Sequence, residues 1–145
     1  MNLINPQEAE AKVAARYRVV LILWIAMLAS ISALLIVALV TPGSGTPNQT
    51  LSFLLLGFGL IVVIVSLVLR LKLIKQAIEK QQLQSLLSAY IVGFALCESA
   101  ALFGLMDHFT TGSGYYRWAF LVAATGMLLH HPKKDHVRAV SFEQF

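Results

Sequence analysis

Leu86–Met106 reads LLSAYIVGFALCESAALFGLM, about 21 apolar or small residues interrupted by one formal charge, Glu98. That length matches the roughly 20 residues that carry a helix across about 30 Å of hydrocarbon. An ionised carboxylate near the bilayer centre costs roughly 2.5–3.5 kcal/mol on insertion scales. Something must offset that cost or keep the group neutral, which makes Glu98 the first candidate for a functional site.

The composition points the same way. The 145 residues are 58% hydrophobic and 12% charged, whereas a soluble domain carries about 25% charged residues. Mean hydropathy is +0.76. Working outward from the quoted run, three more apolar segments appear: Tyr17–Val40, Leu51–Leu71 and a shorter one at Tyr115–His131. The expected fold is all-α, a four-helix transmembrane bundle, with residues 1–145 as a single integral membrane domain. The first run is too long for the apolar core of a signal peptide and is expected to remain as the first helix. The single cysteine, Cys97, excludes an internal disulfide and reads as a small buried apolar residue.

Charge sets the expected topology. Lys12, Arg16 and Arg18 flank the first span; Arg70, Lys72, Lys75 and Lys80 lie between the second and third; Lys133, Lys134 and Arg138 follow the fourth. If the spans alternate, these fall on one side and only Arg117 on the other. The positive-inside rule then predicts cytoplasmic termini and a cytoplasmic central connection. The net charge of +4 belongs to membrane flanks and predicts no nucleic-acid partner. On the opposite side, Thr41–Thr50 (TPGSGTPNQT) is an uncharged, turn-forming linker. Tyr115, Tyr116 and Trp118 form an aromatic belt beside Asp107 and His108. Trp24, deeper in the first span, reads as a packing residue.

The inner connection Arg70–Ser85 is more than a loop. Leu71, Ile74, Ile78 and Leu83 recur at near-helical spacing, so the second helix is expected to continue one or two turns before Gln81–Ser85 reverses it. Those turns read as a snorkelling helix end among anionic headgroups. Met1–Lys12, with Pro6, Glu8 and Glu10 near a helix start, is expected to form an interfacial helix.

Counting from the span ends places Ser30 and Ser32 of the first helix, and Gly57 and Gly59 of the second, at about the depth of Glu98. Hydroxyls bond a carboxyl group across helices for about 0.6–2 kcal/mol, and Gly57 and Gly59 are expected to let a neighbouring backbone or side chain come close. No Lys, Arg or His shares that depth within the chain. Ala89, Gly93, Cys97, Ala100 and Gly104 follow steps of four and three along the third helix, a small-residue stripe that permits close helix packing. Glu98 stands next to this stripe.

Phe94–Leu105 (FALCESAALFGL) resembles the carboxylate-bearing helix of the rotor-ring proteolipid, subunit c of rotary ATPases. Glu98, Ser99, Ala100, Ala101, Phe103, Gly104 and Leu105 carry the match. The resemblance implies that Glu98 binds a proton or sodium ion. It spans about a dozen residues. The second span has only Gly57-Phe58-Gly59 where the proteolipid has a repeated Gly-x-Gly run, and the first and fourth spans have no counterpart in the two-helix form.

Elsewhere, His130, His131, Asp135 and His136 crowd the end of the fourth segment before and after Pro132. Adjacent histidines rarely point at one ion, so these read as a solvated helix terminus and no metal site is expected. Asp107 and His108 read as interfacial polar residues. No phosphate loop, nucleophile–base pair or redox motif is present, so neither catalysis nor a cofactor is expected. Two functions remain open. The first is a non-enzymatic structural or accessory subunit of a larger membrane complex, partnered by the lipid bilayer and by other membrane subunits or further copies of itself. The second is a proton- or cation-translocating protein with Glu98 as the site and Ser30 or Ser32 as a helping ligand. The expected location is the bacterial inner (cell) membrane.

Overall fold

Three of the apolar runs fold as long helices that satisfy their own backbone hydrogen bonds, the condition for crossing hydrocarbon. In the computed structural model, which describes residues 6–80 and 82–142, these are α1 (Pro6–Val40), α2 (Gln49–Glu79) and α3 (Leu83–Thr111). Each contains a charge-poor apolar stretch long enough to span a bilayer. Two shorter helices follow, α4 (Tyr116–Leu129) and α5 (Lys134–Phe142). Among the described residues there is no strand. Long apolar side chains cover the outside, including Ile22, Ile36, Phe58 and Leu71, each more than half exposed. A surface of this kind belongs in lipid, and the chain is a membrane protein.

Local signals set the helix ends. Pro6 opens α1, where its missing N–H costs nothing. Asn48 caps α2 by accepting from the Leu51 amide at 3.1 Å. Gly112, with φ of 59°, ends α3 in the left-handed conformation that glycine adopts without strain. As its periodicity predicts, α2 runs on past Leu71 to Glu79, and α3 begins at Leu83. Gln81 lies outside the described residues. So do Met1–Asn5 of the expected interfacial helix; residues 6–12 are the continuous beginning of α1.

α3 is the centre of the bundle. Some 44% of its apolar stretch is buried inside the protein, against 28% for α2 and 11% for α1. α4 departs most from the expected spans. Its 14 residues cover about 21 Å at 1.5 Å per residue, short of the roughly 30 Å of hydrocarbon. α5 lies across one end of the bundle against α1, α2 and α3, burying Val137 and Val140. Its Arg138 pairs with Glu10 of α1 at 2.8 Å. The start of α1, the α2–α3 turn, the end of α4 and α5 therefore share one end, with ten of the eleven Lys and Arg residues. The opposite, far end holds Arg117.

Candidate functional site

Polar side chains gather at three levels along α3. At the middle level Ser30 of α1 donates its hydroxyl to Glu98 Oε1 of α3, and both residues are half-buried. Glu98 faces α1 because Cys97, one residue and about 100° earlier on the helix, faces α2 and α4. The depth count thus brings Ser30 to the carboxyl but not Ser32. Two residues further round α1, Ser32 is exposed and its hydroxyl returns to Leu28 O at 2.9 Å.

The small-residue stripe of Ala89, Gly93, Cys97, Ala100 and Gly104 is buried throughout, and its partners lie inside this chain. A Cβ on Gly93 would stand 2.7 Å from the His130 ring, and one on Gly104 would stand 3.0 Å from Ala119 Cβ. Gly59 packs on Ala100. Gly57 does not pack: no atom lies within 4 Å of a Cβ built there. It sits two residues from Gly59, on the opposite side of α2, and so the close approach expected at both glycines occurs at Gly59 alone.

The level nearer the basic end is built around the end of α4. A helix ends with carbonyls that have no partner within it. Arg70 of α2 supplies donors: one terminal guanidinium nitrogen reaches Leu129 O at 2.9 Å and the other reaches His131 O at 3.1 Å. Trp24 of α1 donates its indole N–H to Met127 O at 2.8 Å. Arg70 is 7% exposed and stacks over the Tyr90 ring, 5.0 Å from its centroid. The expected snorkelling cation is instead a buried cap.

His130 is wholly buried rather than solvated. Its Nδ1 lies 2.7 Å from Gly126 O. A carbonyl only accepts, so Nδ1 carries a proton, while Nε2 lies 3.3 Å from Ser66 Oγ, whose own proton goes to Val63 O at 2.7 Å. Cys97 Sγ is 3.6 Å from Nδ1. The bound proton gives the thiol no base at that nitrogen, so the pair is not an activated nucleophile. Nearer the basic end, Tyr90 accepts from the Lys133 amide at 3.3 Å, and its hydroxyl shares a hydrogen bond with His136 Nδ1 at 2.8 Å. Burial, with Arg70 and Lys133 adding to it and Asp135 opposing, pushes the His136 imidazole below its ordinary range.

At the far end Asp107 is 2% exposed, deeper than an interfacial residue. Ser52 donates to Oδ1 at 2.6 Å, Thr111 to Oδ1 at 2.8 Å and Ser113 to Oδ2 at 3.0 Å. Three hydroxyls from α2, α3 and the α3–α4 turn therefore satisfy one carboxyl group. His108 donates from Nε2 to Thr41 O at 2.7 Å and packs its ring edge-on to Tyr116.

Arg70, His130 and the hydroxyls around Asp107 escape a reading of the sequence by spans. For Arg70 a signal did exist: a fourth apolar segment too short to cross needs donors at its end. Among the described residues no three His, Cys, Asp or Glu side chains gather as a metal site would require. No protein-family model, curated protein or solved structure matches the chain.

Proposed function

We propose that this is a small, non-enzymatic, multi-pass protein of the bacterial inner membrane, with its basic end in the cytoplasm, serving as a structural or accessory subunit of a larger membrane complex. α1 to α4 form its transmembrane bundle, and Glu98 is the tie that holds α1 to it. The observation that carries this reading is the Ser30–Glu98 hydrogen bond. It joins the helix with least of its apolar stretch buried to the helix with most. Because the small-residue stripe is spent on α2 and α4, a partner subunit would meet the open apolar faces of α1 and α2.

Substitution at Glu98 tests the tie. Glu98→Gln keeps an acceptor for Ser30 and is expected to retain both α1 docking and assembly. Glu98→Leu is expected to lose about 0.6–2 kcal/mol and loosen α1. In a Trp118→Phe background the fluorescence of Trp24, which contacts Met127 and His131 of the α4 end, reads that loosening. Sizing of mild-detergent extracts reads the assembly. If Glu98→Leu leaves the fluorescence and the size unchanged, the tie is refuted.

A second reading, proton or cation handling, is favoured by one detail: the Glu98 partner is a neutral hydroxyl rather than a cation, so the carboxyl can exchange its proton without breaking an ion pair. Ser30 would be the helping ligand and Ser32 would have no part. Purified protein in vesicles loaded with a pH-sensitive dye would then pass protons, and Glu98→Gln would abolish the flux. Equal flux in both proteins removes this reading.

A further inference from the structure

Arg117 stands alone in the charge map, the one Lys or Arg of eleven placed away from the basic end. It lies in the first turn of α4, exposed, where the helix dipole opposes a cation. Its Nε donates to the Tyr116 hydroxyl at 3.5 Å and its guanidinium lies 5.7 Å from the centre of that ring. Both contacts steady the side chain and neither neutralises it. From Arg117 a groove of about 610 Å³ runs between α1 and α4, lined by Ile31, Leu35, Leu39, Phe120 and Leu121. Ser32 also lines it, but its hydroxyl is already bonded to Leu28 O, so it asks nothing polar of an occupant. Leu39 to Ile31 spans about 12 Å of helix, directed from the far end towards the middle of the bundle.

A fixed cation at the headgroup level with an apolar slot beneath it is complementary to one kind of molecule. We propose that this groove holds an anionic phospholipid, its phosphate on the Arg117 guanidinium and one acyl chain laid between α1 and α4. The planar guanidinium suits a phosphate through paired hydrogen bonds. The volume falls in the usual range for a small-molecule site, about 300–1,000 Å³. Trp118, 59% exposed, adjoins Arg117 in a neighbouring depression with Gly114 and Leu121, at the level where aromatic rings meet headgroups. The proposal requires only that the chain sits in a bilayer and is independent of what Glu98 does.

The chain has two tryptophans, so Trp24→Phe leaves Trp118 as the reporter. In phosphatidylcholine vesicles, increasing fractions of lipid are replaced by brominated phosphatidylglycerol or by brominated phosphatidylcholine, either of which quenches a tryptophan it touches. The anionic lipid is expected to reach half-maximal quenching at about a fivefold lower fraction. Arg117→Gln should abolish that difference, and so should Ala124→Phe, which fills the groove with Arg117 intact. Equal quenching by the two lipids overturns the proposal. A preference surviving Arg117→Gln overturns the phosphate contact, and one surviving Ala124→Phe overturns the groove. Native mass spectrometry of the chain with Trp24 in place, released from an equal mixture of the two lipids, is the second measurement. A retained phosphatidylglycerol lost in Arg117→Gln agrees with the proposal; a second protein copy in its place, or equal retention of both lipids, overturns it.

Discussion

α1 and α4 both lie against α3, and they are held there in opposite ways. α4 is 14 residues long, packs through glycines whose Cβ atoms would clash with its neighbours, and has side chains from α1 and α2 bonded to its last carbonyls. α1 is 35 residues long, closes its own backbone hydrogen bonds, and adds to its apolar packing a side-chain hydrogen bond to α3, from Ser30 to Glu98. The difference lies in where each helix ends. A helix that ends against its neighbours takes donors from them and becomes fixed to them. A helix that spans unaided needs no such help and is free to be held lightly.

The largest effect should come from stripping the borrowed donors. Arg70→Leu leaves the Leu129 and His131 carbonyls unpaired and is expected to cost about 3 kcal/mol, read as a shift in the SDS-induced unfolding curve. Arg70→Lys should recover part of that, since an ammonium cannot reproduce the paired geometry. Next comes packing. Gly93→Ala pushes a methyl into the buried His130 ring and should cost about 1–3 kcal/mol, while Gly57→Ala, facing open space, should stay within about 0.5 kcal/mol. Equal effects at the two glycines would erase the contrast between tight and open faces.

The lightly held helix should answer more weakly. Ser30→Ala is expected to cost about 1 kcal/mol and to release α1, seen as faster hydrogen exchange along it, with Ser32→Ala unchanged as the paired control. Smallest of all is a pH effect on α5. The folded protein holds His136 below its ordinary range, so the unfolded chain binds the proton first. The resulting stability is fully present above about pH 6.5, falls as the pH drops through the folded value, and then levels off. Thermal unfolding at several pH values should show that loss. Asp135→Asn, which removes the one charge opposing the shift, should enlarge it.

Much of the fold is legible in the sequence because lipid imposes a length. The three long helices follow from three long, charge-poor apolar runs, and the extension of α2 to Glu79 follows from the spacing of Leu71, Ile74 and Ile78. The Ser30–Glu98 contact follows from counting residues along two helices that run in the same direction, which sets depth. Depth does not set rotation, so Ser30 and Ser32, or Gly57 and Gly59, look alike until the buried face of each helix is known. Arg70 is hidden for another reason. At the end of an apolar run it looks like any snorkelling cation, and the carbonyl it caps belongs to a residue 59 positions further on. α5 follows Pro132 and is short and charged; its packing rests on Val137 and Val140, a pattern too brief to stand out by periodicity.

The two connections at the far end accept change unequally. A Cβ on Gly45 would lie 2.0 Å from the Thr110 carbonyl oxygen, whereas one on Gly114 meets nothing within 4 Å. The link between α1 and α2 is thus pressed onto the end of α3 and should reject insertions, while the α3–α4 turn should accept them at Gly114, just past the Ser113 hydroxyl that serves Asp107. A peptide tag used to learn which side of the membrane this end faces therefore belongs at Gly114. The same tag in the TPGSG link would report the topology of a damaged protein.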